Sequence, residues 1–273
     1  MPIDTLEQCT AQPDEQIDLA RAALLLAREL CYPELRPDGV LAQLDVLADT
    51  VRPRLAGRAP RERLERLIQY LFFELRFRGN SVDYHDPRNS YLNDVLARRS
   101  GIPITLALVF IEVARRLGFE AYGVGLPGHF VAAVVIGDAP IYVDAFNAGA
   151  LLDTATMTAL VERATERHAL FDAAWLQPVP ARAFLARMCG NLQNIYVMQQ
   201  DWARAVLATE RLYLLTRAPV ALRDLGYMAF QAGQFMRAAE AFESYLIAAP
   251  YAEDAGAVRE NVASVYRRLA RLN

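Results

Sequence analysis

The sequence predicts an α+β fold that is mostly helical, with a small antiparallel sheet in its middle and an all-α region after it. Three observations carry this. Apolar residues recur at helical spacing through the first third, and the period shortens to that of strands between Ala121 and Val143. After residue 180, Leu192, Trp202 and Ala205 recur as Leu225, Phe235 and Ala238, each 33 residues later. With 273 residues, 54% of them hydrophobic, the chain can bury a sizeable core.

The first helix covers Ile17 to Leu30 and breaks at Tyr32-Pro33. A second, Val40 to Val51, follows the turn Pro37-Asp38-Gly39. Glu62 to Phe77 is amphipathic, with Leu64, Leu67, Ile68, Leu71 and Leu75 on one stripe, and is expected to end at Gly79-Asn80. The polar stretch to Ser90 has turn composition. A short helix, Tyr91 to Arg98, is broken at Ser100-Gly101-Ile102-Pro103, and Pro103 sits in the first turn of a largely apolar helix that ends at Gly118. Three strands follow, Ala121 to Val124, Phe130 to Ile136 and Ile141 to Val143. From Leu151 the pattern is helical again, with Met157, Leu160 and Val161 inward. Gln177-Pro178-Val179-Pro180 divides the chain into 1–178 and 181–273. In the second part Pro219 and Pro250 close repeat units, and Asp254 to Leu272 forms a terminal helix.

All 29 basic side chains are arginine, which excludes Schiff-base chemistry and a P-loop lysine. The formal charge is −3, with 18 arginines against 24 acidic residues up to residue 180 and 11 against 8 beyond it. Neither part has the charge of a nucleic-acid binder. Cys9, Cys31 and Cys189 are scattered, which suggests neither a disulfide framework nor a zinc knuckle and fits a reducing cytoplasm. His85, His129 and His168 share no metal-ligand spacing, so neither metal nor cofactor is expected. The N-terminus lacks the pattern of a signal peptide, and the uncharged stretch from Ala121 to Gly137 is too short and glycine-rich to span a bilayer.

Pro127-Gly128-His129-Phe130 opens the second strand and Tyr142-Val143-Asp144 ends the third, which brings a histidine and a carboxylate to one sheet. A hairpin turning at Asp138-Ala139 keeps both side chains on one face but leaves them roughly 13 Å apart. Contact requires a turn nearer Ile136-Gly137, or a bulge. Such a pair also has a purely structural reading, two polar groups that satisfy each other. His85 and His168 are expected to be solvated.

Residue by residue, this constellation resembles the transglutaminase-like core of the papain superfamily, where Cys, His and Asp sit on a helix start and two adjacent strands. The resemblance implies contact between His129 and Asp144. It also places Gly101-Ile102-Pro103 where that superfamily has Gly-X-Cys, fifteen residues before the helix-ending Gly118. Proline has no nucleophilic atom. Thr105 carries a hydroxyl, but a helical threonine usually bonds its own preceding turn. More closely, Asn89 to Thr105, Pro127 to Phe130 and Asp144 to Gly149 resemble the SirB family of bacterial proteins, which join such a domain to tetratricopeptide repeats. Ala145 stands where that family usually has proline. The 33-residue units resemble two tetratricopeptide repeats plus a terminal helix.

The resemblance implies a regulatory or scaffolding role. The expectation is a non-catalytic interaction protein with a degenerate, thiol-free domain and a protein or peptide partner on the repeats. Tyr196, Trp202, Tyr213, Tyr227, Phe230 and Phe235 are then core. Arg187, Arg204, Arg223 and Arg237 are candidates to project and hold an acidic peptide. The alternative is a hydrolase or transferase using His129 as base, oriented by Asp144 and Asn93 in a cleft with His85, Pro103, Thr105 and Asn147.

Overall fold

A computed structural model describes residues 4–271. The first helices are α1 (Leu6–Thr10), α2 (Leu19–Leu30), α3 (Pro37–Leu55), α4 (Pro60–Ile68), α5 (Leu92–Arg98), α6 (Pro103–Arg116) and α7 (Thr154–Thr165). Five more close the chain: α8 (Ala181–Met198), α9 (Trp202–Thr216), α10 (Pro219–Gln231), α11 (Phe235–Ala248) and α12 (Ala255–Leu269). Strands β1 (Arg78–Gly79) and β2 (Ser100–Gly101) form a short parallel pair. Strands β3 (Ala121–Leu126), β4 (His129–Ile136), β5 (Ala139–Asp144) and β6 (Ala150–Leu152) form an antiparallel meander in that order.

Several elements differ from the sequence reading, each for a local reason. Pro37 starts α3 instead of turning before it, because proline at the first helical position loses no hydrogen bond, and Gly39 lies inside the helix. Pro219 likewise opens α10 instead of closing a unit. The stretch expected as one helix over 62–77 changes at Ile68 into a π-helical segment, Gln69–Glu74, which stacks Phe72 on Phe110. The chain leaves that segment at Arg76, whose φ is +61°, so Gly79 is not a helix stop. Gly79 instead lies where a Cβ would meet the Phe146 ring at 2.6 Å. Leu151 belongs to β6, and α7 starts only after Asp153, which caps it by accepting from Thr156 N. The short α1, closed by the capping box of Thr5 and Gln8, was not foreseen. Leu272, the expected end of the terminal helix, lies outside the described residues.

β4 is buried on both faces, which explains its unbroken apolar run from Phe130 to Val135. Phe130, Ala132 and Val134 join the main core with α6, while Val131 and Ala133 face Met157 and Val161 of α7. The main core continues across the 177–180 linker and takes in Phe184, Met188, Leu192 and Tyr196 of α8 and Ala205 and Ala208 of α9. The second helix pair and α12 have a smaller core of their own around Leu225, Phe242 and Val258.

Candidate functional site

His129 opens β4 and Asp144 ends β5. The hairpin between them turns at Gly137-Asp138, since Ile136 pairs with Ala139, and Gly137 supplies the required positive φ of +65°. Moving the turn one residue earlier than Asp138-Ala139 keeps the facing and halves the offset along the strands. The two residues become diagonal neighbours within side-chain reach. His129 Nε2 lies 3.0 Å from Asp144 Oδ2.

Asp144 is held from all sides. Its Oδ2 also accepts from Asn147 Nδ2 at 2.7 Å, and its Oδ1 from the backbone N–H groups of Phe146 and Asn147 at 3.0 and 3.2 Å. Burial works to raise the Asp144 pKa, but the hydrogen bonds from His129 and Asn147 outweigh it and hold the carboxyl below its ordinary value. The same bonds close the Asp144–Gly149 turn, so it forms with Ala145 in place of proline. The imidazole is 9% exposed. Phe146 stands edge-on to it, and Tyr84, from the loop before β2, stands edge-on to Phe146.

The other sequence-predicted residues lie in different surroundings. Pro103 is buried at the first position of α6, the helix packed on β4. Thr105 is fully buried, and its hydroxyl shares its one proton between Asn89 O at 2.6 Å and Ile102 O at 3.1 Å while accepting from Ile102 N. That oxygen is engaged in tying the 80–90 loop to the helix. Asn93 is not hydrogen-bonded to His129 or Asp144 among the described residues, and its Oδ1 is buried without a partner, as is Ser90 Oγ. His85 is exposed, with its ring edge-on to Tyr84 and its backbone oxygen accepting from Gln199 Nε2. His168, also exposed, pairs with Glu162. None of the cysteines is bonded to His129 among the described residues. Cys9 sits in α1, where burial raises its pKa, and burial pushes Cys189 up to about 12. Cys31 ends α2.

Residues 38–190 match the family model of the transglutaminase-like superfamily, and 192–263 match that of the tetratricopeptide repeat. The chain belongs to the transglutaminase-like superfamily. It is 35% identical over 251 residues to a UPF0162 protein of Xylella fastidiosa, covering 90% of this chain and 89% of that one. A UPF0162 protein of Vibrio cholerae is 25% identical over 217 residues, 78% of this chain and 80% of that one. Human F-box only protein 21 is 28% identical over 225 residues, which covers 71% of this chain but only 35% of that protein.

In this transglutaminase-like protein α8 reaches the strand that carries His129, through a residue inside the 38–190 match. Arg187 of α8 donates through Nη2 to Leu126 O at 3.0 Å and His129 O at 2.7 Å, with its guanidinium 5.2 Å from the centroid of the Phe130 ring. Burial lowers its pKa. Arg187 therefore clamps the β3–β4 turn and does not project. The other three candidate arginines are also engaged internally: Arg204 with Asp201, Arg223 with Asp224 and Asp254, and Arg237 with Glu210. Of the repeat aromatics, Tyr196 is buried, Tyr227 is 40% exposed, and the rest are half-buried. Phe146 and Arg187, which touch His129, and Tyr84, which stands behind Phe146, are the residues that sequence reasoning missed or misplaced. The aromatic Tyr84 in an otherwise polar loop was the visible signal for the last.

A cavity of about 700 Å³ lies between α1, α2 and the repeats, lined among others by Glu29, Arg211, Tyr213 and Leu225. His129 lines neither it nor four smaller cavities. Among the described residues there is no group of three or more His, Cys, Asp or Glu side chains able to hold a metal, and no helix is long and apolar enough to cross a membrane.

Proposed function

We propose that this is a cytoplasmic, SirB-type protein of interaction or regulation. Its transglutaminase-like unit, 1–178, has no attacking thiol and supports the repeats of 181–273, which meet a protein partner. One observation carries this reading: the helix start packed on the His129 strand holds Pro103, while Cys9, Cys31 and Cys189 lie on other helices. Without sulfur beside the imidazole, acyl transfer through a thioester has no nucleophile. The oxygen of Thr105 is engaged in three hydrogen bonds and does not replace it. The low exposure of His129, which does not line the large cavity, supports the same conclusion.

A second reading stays in view because the His129–Asp144 contact is intact at 3.0 Å. An imidazole held by a carboxylate can serve as a base for water, with Asp144 fixing its orientation. Turnover of amide, ester and peptide substrates by the wild type beside His129→Ala separates the two. Indistinguishable traces are expected; a rate that only the wild type shows makes the protein an enzyme. Capture of partners by the full chain tests the interaction half, and recovery of no repeat-dependent partner counts against it.

A further inference from the structure

We propose that a cavity at the far end of the repeats docks a short acidic peptide segment of the partner protein. This rests on the interaction reading above and gives it a place and a chemistry. From Arg182 to Arg259, the arginines of the repeat region are held by carboxylates, by carbonyls or, for Arg217, by the face of Tyr213. Arg267, Arg268 and Arg271 are set apart by their clustering, although Arg268, like Arg217, lies over an aromatic ring. All three are exposed and line one cavity of about 500 Å³ with Phe230, Phe235 and Ser264. Among the described residues none of the three has a salt bridge or a side-chain hydrogen bond, and no acidic residue lines the cavity.

Arg267 and Arg268 in the last turn of α12 complement the helix dipole, and Arg271 lies just beyond that turn. Three around one cavity repel one another, and an anion relieves that repulsion while accepting from their guanidinium forks. Arg268 lies over the Phe235 ring, which stands edge-on to Phe230, so the cavity wall is apolar between its charges. That combination suits a few carboxylates next to an apolar side chain.

The test uses the full chain and a fluorescein-labelled octaglutamate peptide, followed by fluorescence anisotropy at low and physiological salt. Arg267→Gln with Arg268→Gln keeps helix propensity, and circular dichroism verifies the fold. Saturable, salt-sensitive binding is expected, weakened about tenfold by the double change, whereas Arg259→Gln on the same helix leaves it within about twofold. Absence of binding by the wild type, or equal weakening by R259Q, overturns the proposal. So does tighter binding of a single-stranded oligonucleotide that the double change abolishes, which assigns the cavity to nucleic acid. A partner captured equally by wild type and double variant removes the site but leaves the interaction reading standing. Octaglutamate binding at the cavity with no partner captured does the reverse.

Discussion

The two helix pairs of the repeat region share a sequence pattern but are built into the molecule differently. In the first pair, α8 and α9 belong to the main core, with Phe184 edge-on to Phe130 of the sheet at 4.8 Å and Tyr196 OH 2.6 Å from Tyr91 OH. Its arginines reach back to earlier elements: Arg182 to Asp14, Arg187 to the β3–β4 turn and Arg211 to Glu29. The second pair and α12 pack around Phe242, and the last turn of α12 carries the exposed Arg267 and Arg268. The first pair is built into the main core, and the second packs mainly in a core of its own. Two stacked repeats are marginal alone, and fusing the first to the transglutaminase-like core gives the second a rigid base.

The comparison breaks most decisively at the two buried phenylalanines. Phe184→Ala is expected to cost about 3–5 kcal/mol and to lower the main unfolding transition measured by urea denaturation. Phe242→Ala has a similar local cost but is expected to melt the second pair first, leaving the main midpoint in place. A single transition lowered equally by both changes defeats the two-core account.

Asp144 tests the main core next. Asp144→Asn is expected to destabilise the main transition by about 2–3 kcal/mol, because donors aimed at a carboxylate lose it. The pH dependence has a definite sign. A carboxyl whose folded pKa lies below its unfolded value, near ~3.9, adds stability above that pH. This stability is lost as pH falls through the folded value. Acid titration of stability is therefore expected to be steeper in the wild type than in the Asn variant, and parallel curves refute the stabilising role.

Two helical glycines sharpen the contrast. A Cβ on Gly226 of α10 would meet the Phe242 ring at 2.4 Å, whereas one on Gly190 of α8 meets nothing within 4 Å. Gly226→Ala is expected to cost about 1–3 kcal/mol in the second pair. Gly190→Ala is expected to stabilise the first by up to about 1 kcal/mol. Both are read by denaturant midpoint. The smallest effect concerns the link between the parts: Tyr91→Phe leaves Tyr196 OH buried without that partner and costs about 1 kcal/mol. The double change with Tyr196→Phe should recover part of it, as a double-mutant cycle measures.

The local patterns of the sequence determined most elements: the apolar period of α2 and α6, the β-branched run of β4 and the 33-residue recurrence that became α8 to α11. They also determined that His129 and Asp144 share a sheet face, because strand facing alternates with period two. Tertiary structure decided what depends on partners far along the chain. The exact hairpin turn set whether His129 and Asp144 touch, and a π-helical segment against Gly149 replaced a plain helix. The use of each arginine was decided the same way. Asp201 three residues before Arg204 was legible as a local pair, but nothing near Arg187 in sequence announced the carbonyls of Leu126 and His129. A side chain's rotamer and helical face are local properties. Whether a long cation finds an anion, a carbonyl or open solvent depends on which surface is packed against it, and that is set only when the domains meet.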